Sequence, residues 1–228
     1  MEELEPIVTD RQASDQLASG GALLVGRGDV QEARRLLDRH ASLRTSDEVQ
    51  HRAGYFMAAA NVLRAEGRPE EALALVLEAL VPENRLPVRH VFGKRLLVEG
   101  VEAALDADNL DAADELLGEW ERMRPVDRTP YLEGHRARLT ARLATRRGEA
   151  EHIEPGFTRA IEIFRVIGMP FYLAVALLED GEWLVSQGRA GEAEPLIAEA
   201  RELFERLRAM PWLERADQAA HRPAQLVG

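Results

Sequence analysis

The chain contains no cysteine. That excludes disulfide staples, thiolate metal sites, iron–sulfur clusters and cysteine nucleophiles. Basic charge is in deficit: 29 Lys and Arg stand against 40 Asp and Glu, for a net charge of −11 over 228 residues. Wrapping nucleic acid or coating an anionic membrane needs a large basic surface, so neither is expected as the main task. Long apolar runs are missing too. The longest, such as 171–178, fall well short of the roughly 18 residues a membrane helix needs. The acidic start Met1-Glu2-Glu3-Leu4-Glu5 does not read as a secretory signal, and a cytoplasmic setting is the expectation. Aromatics make up only 5% of the residues, while Ala, Leu, Glu and Arg, which lose least on entering a helix, dominate.

What is present is a repeat. Polar turns occur at Gly28-Asp29, Gly67-Arg68, Asp108-Asn109, Gly148-Glu149 and Gly188-Arg189, spaced 39, 41, 40 and 40 residues apart. Five residues after each turn position stand Ala33, Ala72, Ala113, Ile153 and Ala193; seven before it stand Gly21, Ala60, Val101, Ala141 and Gly181. A small residue late in one helix and another early in the next let two backbones approach closely where the helices cross. Glycine at the turn supplies the left-handed conformation that ends the first helix. The second helices open on acids such as Glu70, Glu71, Asp111 and Glu192, which complement the helix dipole. The pattern predicts an all-α chain with helices near 10–26, 30–43, 47–66, 69–81, 87–107, 110–122, 130–147, 150–168, 170–187 and 190–209, and a capping helix near 211–221. These pair into hairpins over 10–45, 47–84, 87–125, 130–168 and 170–209, a single domain over 1–228 in which each hairpin buries its apolar face against the next. The ends, 1–8 and 222–228, are expected to fray.

No catalytic or metal motif survives inspection. Gly26-Arg27-Gly28-Asp29 lacks the third glycine and preceding strand of a phosphate loop, and Gly93-Lys94-Arg95 lacks both the first glycine and the Ser or Thr. The six histidines have no partner at metal-ligand spacing, and His152 and Glu154 lie on different sides of a helix. No serine sits on a strand-to-helix elbow. The chain is therefore expected not to be an enzyme and to need no cofactor. Trp120, Trp183 and Trp212, with Phe157, Phe164 and Phe204, read as core.

The register resembles the tetratricopeptide repeat, with its small eighth residue and its alanine early in the second helix. Ala79, Ala160 and Ala200 match a further alanine position, from which His40 and Trp120 depart. The resemblance implies a right-handed α–α superhelix of about five hairpins plus a cap, with period 40 in place of 34. It also implies a concave groove lined by first helices, which here maps to Asn61, Arg64, Arg95, Glu102, His135, Arg138, Arg142, Arg146 and Glu182. Arg138, Arg142 and Arg146 form one helical stripe suited to an acidic peptide, a carboxylate terminus or a phosphate, unless acids of neighbouring helices neutralise it. Residues 130–216, with Gly168-Met169-Pro170-Phe171-Tyr172 and Pro211-Trp212-Leu213-Glu214-Arg215, are similar to the C-terminal tetratricopeptide-like arm of large bacterial, notably actinobacterial, regulators. In those, an ATPase module is joined to a nucleotide cyclase or a helix-turn-helix domain. That similarity implies a regulatory arm without its motor, in signalling or transcription control. Two functions stay open: binding a protein or peptide segment in the groove, or sensing a small phosphate-bearing ligand there. Oligomeric state is open as well.

Overall fold

The computed structural model describes residue 14 and residues 16–80 and 91–221. Among them are eleven α-helices and no strand. A π turn, Leu17–Gly21, leads into α1 (Ala22–Arg27), followed by α2 (Val30–Arg39), α3 (Val49–Ala65), α4 (Pro69–Leu80) and α5 (Val91–Asp106). Then come α6 (Leu110–Glu121), α7 (Pro130–Arg147), α8 (Ala150–Val166), α9 (Pro170–Ser186), α10 (Ala190–Leu207) and α11 (Met210–His221). Short 3₁₀ turns, Ala41–Thr45 and Pro125–Asp127, bridge α2 to α3 and α6 to α7. The expected helix starts near 10 and 87, Pro82 and both chain ends lie outside the described residues.

The helix boundaries follow from local chemistry. Gly28, Gly67, Gly148 and Gly188 all have positive φ, between +73° and +90°, and Asp108 takes the same left-handed conformation at +55°. At four of these turns the next residue donates its N–H to the carbonyl five positions back: Asp29 to Leu24, Arg68 to Leu63, Glu149 to Ala144 and Arg189 to Leu184, at 2.9–3.0 Å. This is the Schellman closure of a helix C-terminus. It recurs after α8, with Gly168, and after α10, where Arg208 stands at φ +56° and Ala209 donates to Phe204. Pro130 and Pro170 open α7 and α9, where a missing N–H costs nothing. Asn109 and Thr129 cap α6 and α7 through side-chain oxygens that accept from Ala112 and Leu132.

The contacts gather into two units: α1 to α5 apart from residues 26–28, and α6 to α11 with residues 26–28. In the first, α3 packs on α2, α4 and α5, and α4 on α5. Its core includes Leu17, Ala33, Leu37, Leu43, Ala58, Ala59 and Val62. In the second, α7 packs on α6 and α8, α9 on α8, α10 and α11, and α10 on α11. The main pairs thus join a helix to its next or next-but-one neighbour, the local pattern of helical repeats. Phe164, Leu177 and Phe204 anchor one core cluster of the second unit, and Ala141, Ala144, Ile153 and Phe157 another.

The predicted small positions are all buried. Ala33, Ala60, Ala72, Val101, Ala113, Ala141 and Ala193 are no more than 1% exposed. A Cβ on Gly181 would lie 2.6 Å from Ile197 Cγ1, so the Ile197 side chain of α10 packs directly on the α9 backbone. In the fourth hairpin Ile153 occupies the alanine position and the close approach moves to Gly156, where a Cβ would meet Ala141 Cβ at 2.9 Å and the Ala137 carbonyl at 3.0 Å. Pro155 and Pro195, forty residues apart, lie inside α8 and α10, and each deletes one helical hydrogen bond. The buried α9 residues Ala174, Leu177 and Gly181 correspond, one repeat later, to Glu214, Asp217 and His221 of α11, which keep a polar face.

Two substitutions test this geometry by urea unfolding. Gly156→Ala should lower stability by about 1–3 kcal/mol, since backbone and Ala141 must shift to admit the methyl group. Arg208→Gly should raise it by up to about 1 kcal/mol, because glycine carries no left-handed penalty.

Candidate functional site

The first helices of the hairpins carry most of the residues expected to line a groove, and ion pairs to the next first helix organise them. On α3, Arg64 donates to Glu99 at 2.9 Å, to Glu102 at 3.2 Å and to Asp106 at 2.9 Å, all on α5. Burial opposes the Arg64 charge, but Glu102, Asp106 and Glu99 together outweigh it and hold the guanidinium above its usual pKa. Asn61, one turn before Arg64, donates to Glu99 at 3.4 Å, leaving its buried Oδ1 without a partner among the described residues. Asn61, Arg64 and Glu102 are thus brought together. Arg95, half-buried on α5, makes no ion pair among the described residues.

In the second unit Arg138 is 1% exposed, and its Nη1 donates to both oxygens of Glu179 on α9, each at 3.0 Å. Arg142, one turn on, reaches the same carboxylate with Nε at 3.5 Å. Arg146 lies at the surface and pairs with Asp108 at 3.1 Å. Glu182 accepts from Arg215 of α11 at 2.8 and 2.5 Å. The imidazole of His135 is fully buried inside an aromatic cage, with ring centroids of Tyr172 at 4.4 Å, Tyr131 at 4.5 Å and Phe164 at 5.1 Å.

The stripe Arg138, Arg142 and Arg146 therefore does not present one open basic surface. Its first member is inside the packing, its second shares a carboxylate with the first, and only its third is half exposed. The physical reason is the contact between successive first helices: charge on α7 is answered by charge on α9, because an unpaired buried guanidinium would cost several kcal/mol. Four groups in these pairs were not singled out from the sequence: Glu99, Asp106, Glu179 and Arg215. Glu99 and Glu179 both stand nine residues before a turn position, a signal the repeat register already contained.

Trp183, half-buried, packs against the cluster of Ala141, Ala144, Ile153 and Phe157 and lies under Arg189 at 5.7 Å. Arg189 in turn holds Glu154 of α8 and Glu192 of α10. A shallow cleft of about 480 Å³ runs beside this cluster, lined by Glu154, Pro155, Thr158, Arg159 and Glu162, all on α8. Among the described residues no group of three or more His, Asp or Glu is placed to hold a metal ion. No helix among them is long and apolar enough to cross a membrane. No protein-family model and no curated protein matches the chain.

Glu179→Gln should destabilise the protein by about 3–5 kcal/mol, since it takes the counter-charge from the buried Arg138. Arg146→Ala should leave the urea midpoint within error, because a pair this exposed is worth little.

Proposed function

We propose that the chain is a non-enzymatic helical-repeat interaction module of the tetratricopeptide kind, stacked as a right-handed α-solenoid. It would hold a protein or peptide segment against its first helices. The observation that carries this reading is the repeated register: at each of the five turns a left-handed residue follows a buried residue by seven positions, Gly or Ala at four of them and Val101 at the fifth. Units built this way share cores with their neighbours and expose a row of equivalent helix faces, a surface suited to an extended partner. The resemblance of residues 130–216 to regulator arms supports a partner in signalling or transcription control, in the cytoplasm.

The charge pattern shapes how such a segment binds. The second unit offers a carboxylate-bearing partner Arg142 and Arg146, each already answered by an acid on the protein. An incoming acidic side chain exchanges with Glu179 or Asp108, and the net gain is small per contact. Specificity then comes from matching several such exchanges in register along the segment, with little attraction to a lone phosphate.

A peptide-display selection on the purified full chain tests this, with binding followed by fluorescence anisotropy. Enrichment of segments carrying carboxylates at regular spacing is expected, with affinity falling at least tenfold in the double variant Arg142→Glu, Arg146→Glu at unchanged circular dichroism. Failure to enrich any segment, or binding indifferent to that variant, would overturn the proposal. Stabilisation by free phosphate or nucleotide in the absence of any segment would favour small-ligand sensing instead.

A further inference from the structure

Asp180 sits where a carboxylate is least expected. It lies on α9, eight residues before its turn position, and the matching places in the four preceding hairpins hold Gly20, Ala59, Gly100 and Thr140. Those are small residues of a packed helix contact. Asp180 is only 5% exposed, and its Oδ1 has no hydrogen-bond partner among the described residues. Its neighbour Gly181 is packed against the Ile197 side chain of α10, which would lie 2.6 Å from a Cβ there, so α9 has little room to rotate and turn Asp180 out to water.

The helices packed on α9 present charge in an uneven way. From α8, Glu154 faces Asp180 with a like charge; from the cap of α10, Arg189 offers the opposite one. Arg189, however, is already committed to Glu154 and Glu192. From α7, Arg138 and Arg142 hold Glu179, and from α11, Arg215 holds Glu182. An ionised Asp180 therefore adds a third carboxylate to a site with one shared guanidinium, with one of its oxygens buried and unpartnered among the described residues. A protonated Asp180 is a neutral group of nearly the same shape.

We infer that Asp180 is a proton-operated latch on the contact between α8 and α9: the packing is tight while the carboxyl carries its proton and loosens when the proton leaves. Burial, reinforced by Glu154 against the pull of Arg189, pushes Asp180 up to about 6. The sign follows from linkage. The folded state holds this proton more firmly than the unfolded chain, whose carboxyl titrates near 3.8. The stabilisation is complete below about pH 4 and is lost as pH rises through about 6. Across pH 5 to 7.5 the difference amounts to about tenfold in the opening equilibrium.

Hydrogen exchange on the full chain, corrected for the intrinsic rate, reads this directly. Between pH 5 and 7.5, protection of α8 and α9 amides should fall about tenfold more in the wild type than in Asp180→Asn, which mimics the protonated acid. A parallel pH dependence in both proteins would overturn the inference. A measurement that needs no Asp180 variant is the carboxyl ¹³C titration of Asp180 in the wild type. A midpoint near 6 that moves down in Glu154→Gln supports the latch, and a midpoint near 4 sinks it.

Discussion

Close approach between helices at a few small residues is the constraint on which the rest of the structure depends. At Gly181 a methyl group would run into the Ile197 side chain and at Gly156 into Ala141 and the Ala137 carbonyl, and Ala33, Ala72 and Ala113 are buried. Contacts this short fix the rotation and offset of one helix on the other, because sliding either helix would drive a larger side chain into the crossing. The left-handed turn residues then set where each second helix begins. Within each unit the first helices then meet, α3 with α5 and α7 with α9, and their polar residues form defined pairs.

Those pairs explain why a chain with many arginines shows so little bare positive charge. Each first helix that packs on the next must bury the polar residues between them. A guanidinium caught there is tolerable only with a carboxylate partner, so Arg64 and Arg138 are matched by Glu102 and Glu179. Such pairs add little net stability compared with apolar packing. They penalise wrong neighbours severely, since a slip by one turn would leave like charges facing each other or a charge alone. In a protein whose second helices are built largely from Ala, Leu and Glu, where apolar packing alone specifies little, charge matching adds the information that keeps repeats in order.

The sequence made the hairpins legible because their cause is local. A turn glycine, a Schellman closure and a small residue at fixed offset act within about twelve residues, and α3, α4 and α6 to α10 fall within two residues of expectation. The location of the close contact in the fourth hairpin was not legible. Ile153 broke the alanine pattern, and only the packed helices show that Gly156 took over. The site residues were half legible for a different reason. Offsets told which side chains share the first-helix face, and Asn61, Arg64 and Glu102 do meet. Whether a charge on that face is open or answered depends on the neighbouring repeat, which no single helix encodes; hence Arg138 read as a ligand group and is an interior one. His135 misled similarly, since its cage comes from Tyr131, Phe164 and Tyr172 on three different helices.

Asp180 shows the same limit from the opposite side. Among forty acids, one more carboxylate on a helix reads as solvated surface, and its neighbours in sequence, Glu179 and Glu182, do find arginines. What separates it is a rotation of 100° per residue: Glu179 reaches Arg138 and Arg142 of α7, whereas Asp180 feels the like charge of Glu154 and an Arg189 that is already shared. The fold tolerates such a residue because α8 and α9 also meet through apolar side chains such as Ile161, Phe164 and Leu177, so one unmet carboxylate is a local cost. That apolar packing is what would let a single carboxylate tune one helix contact without unfolding the unit around it.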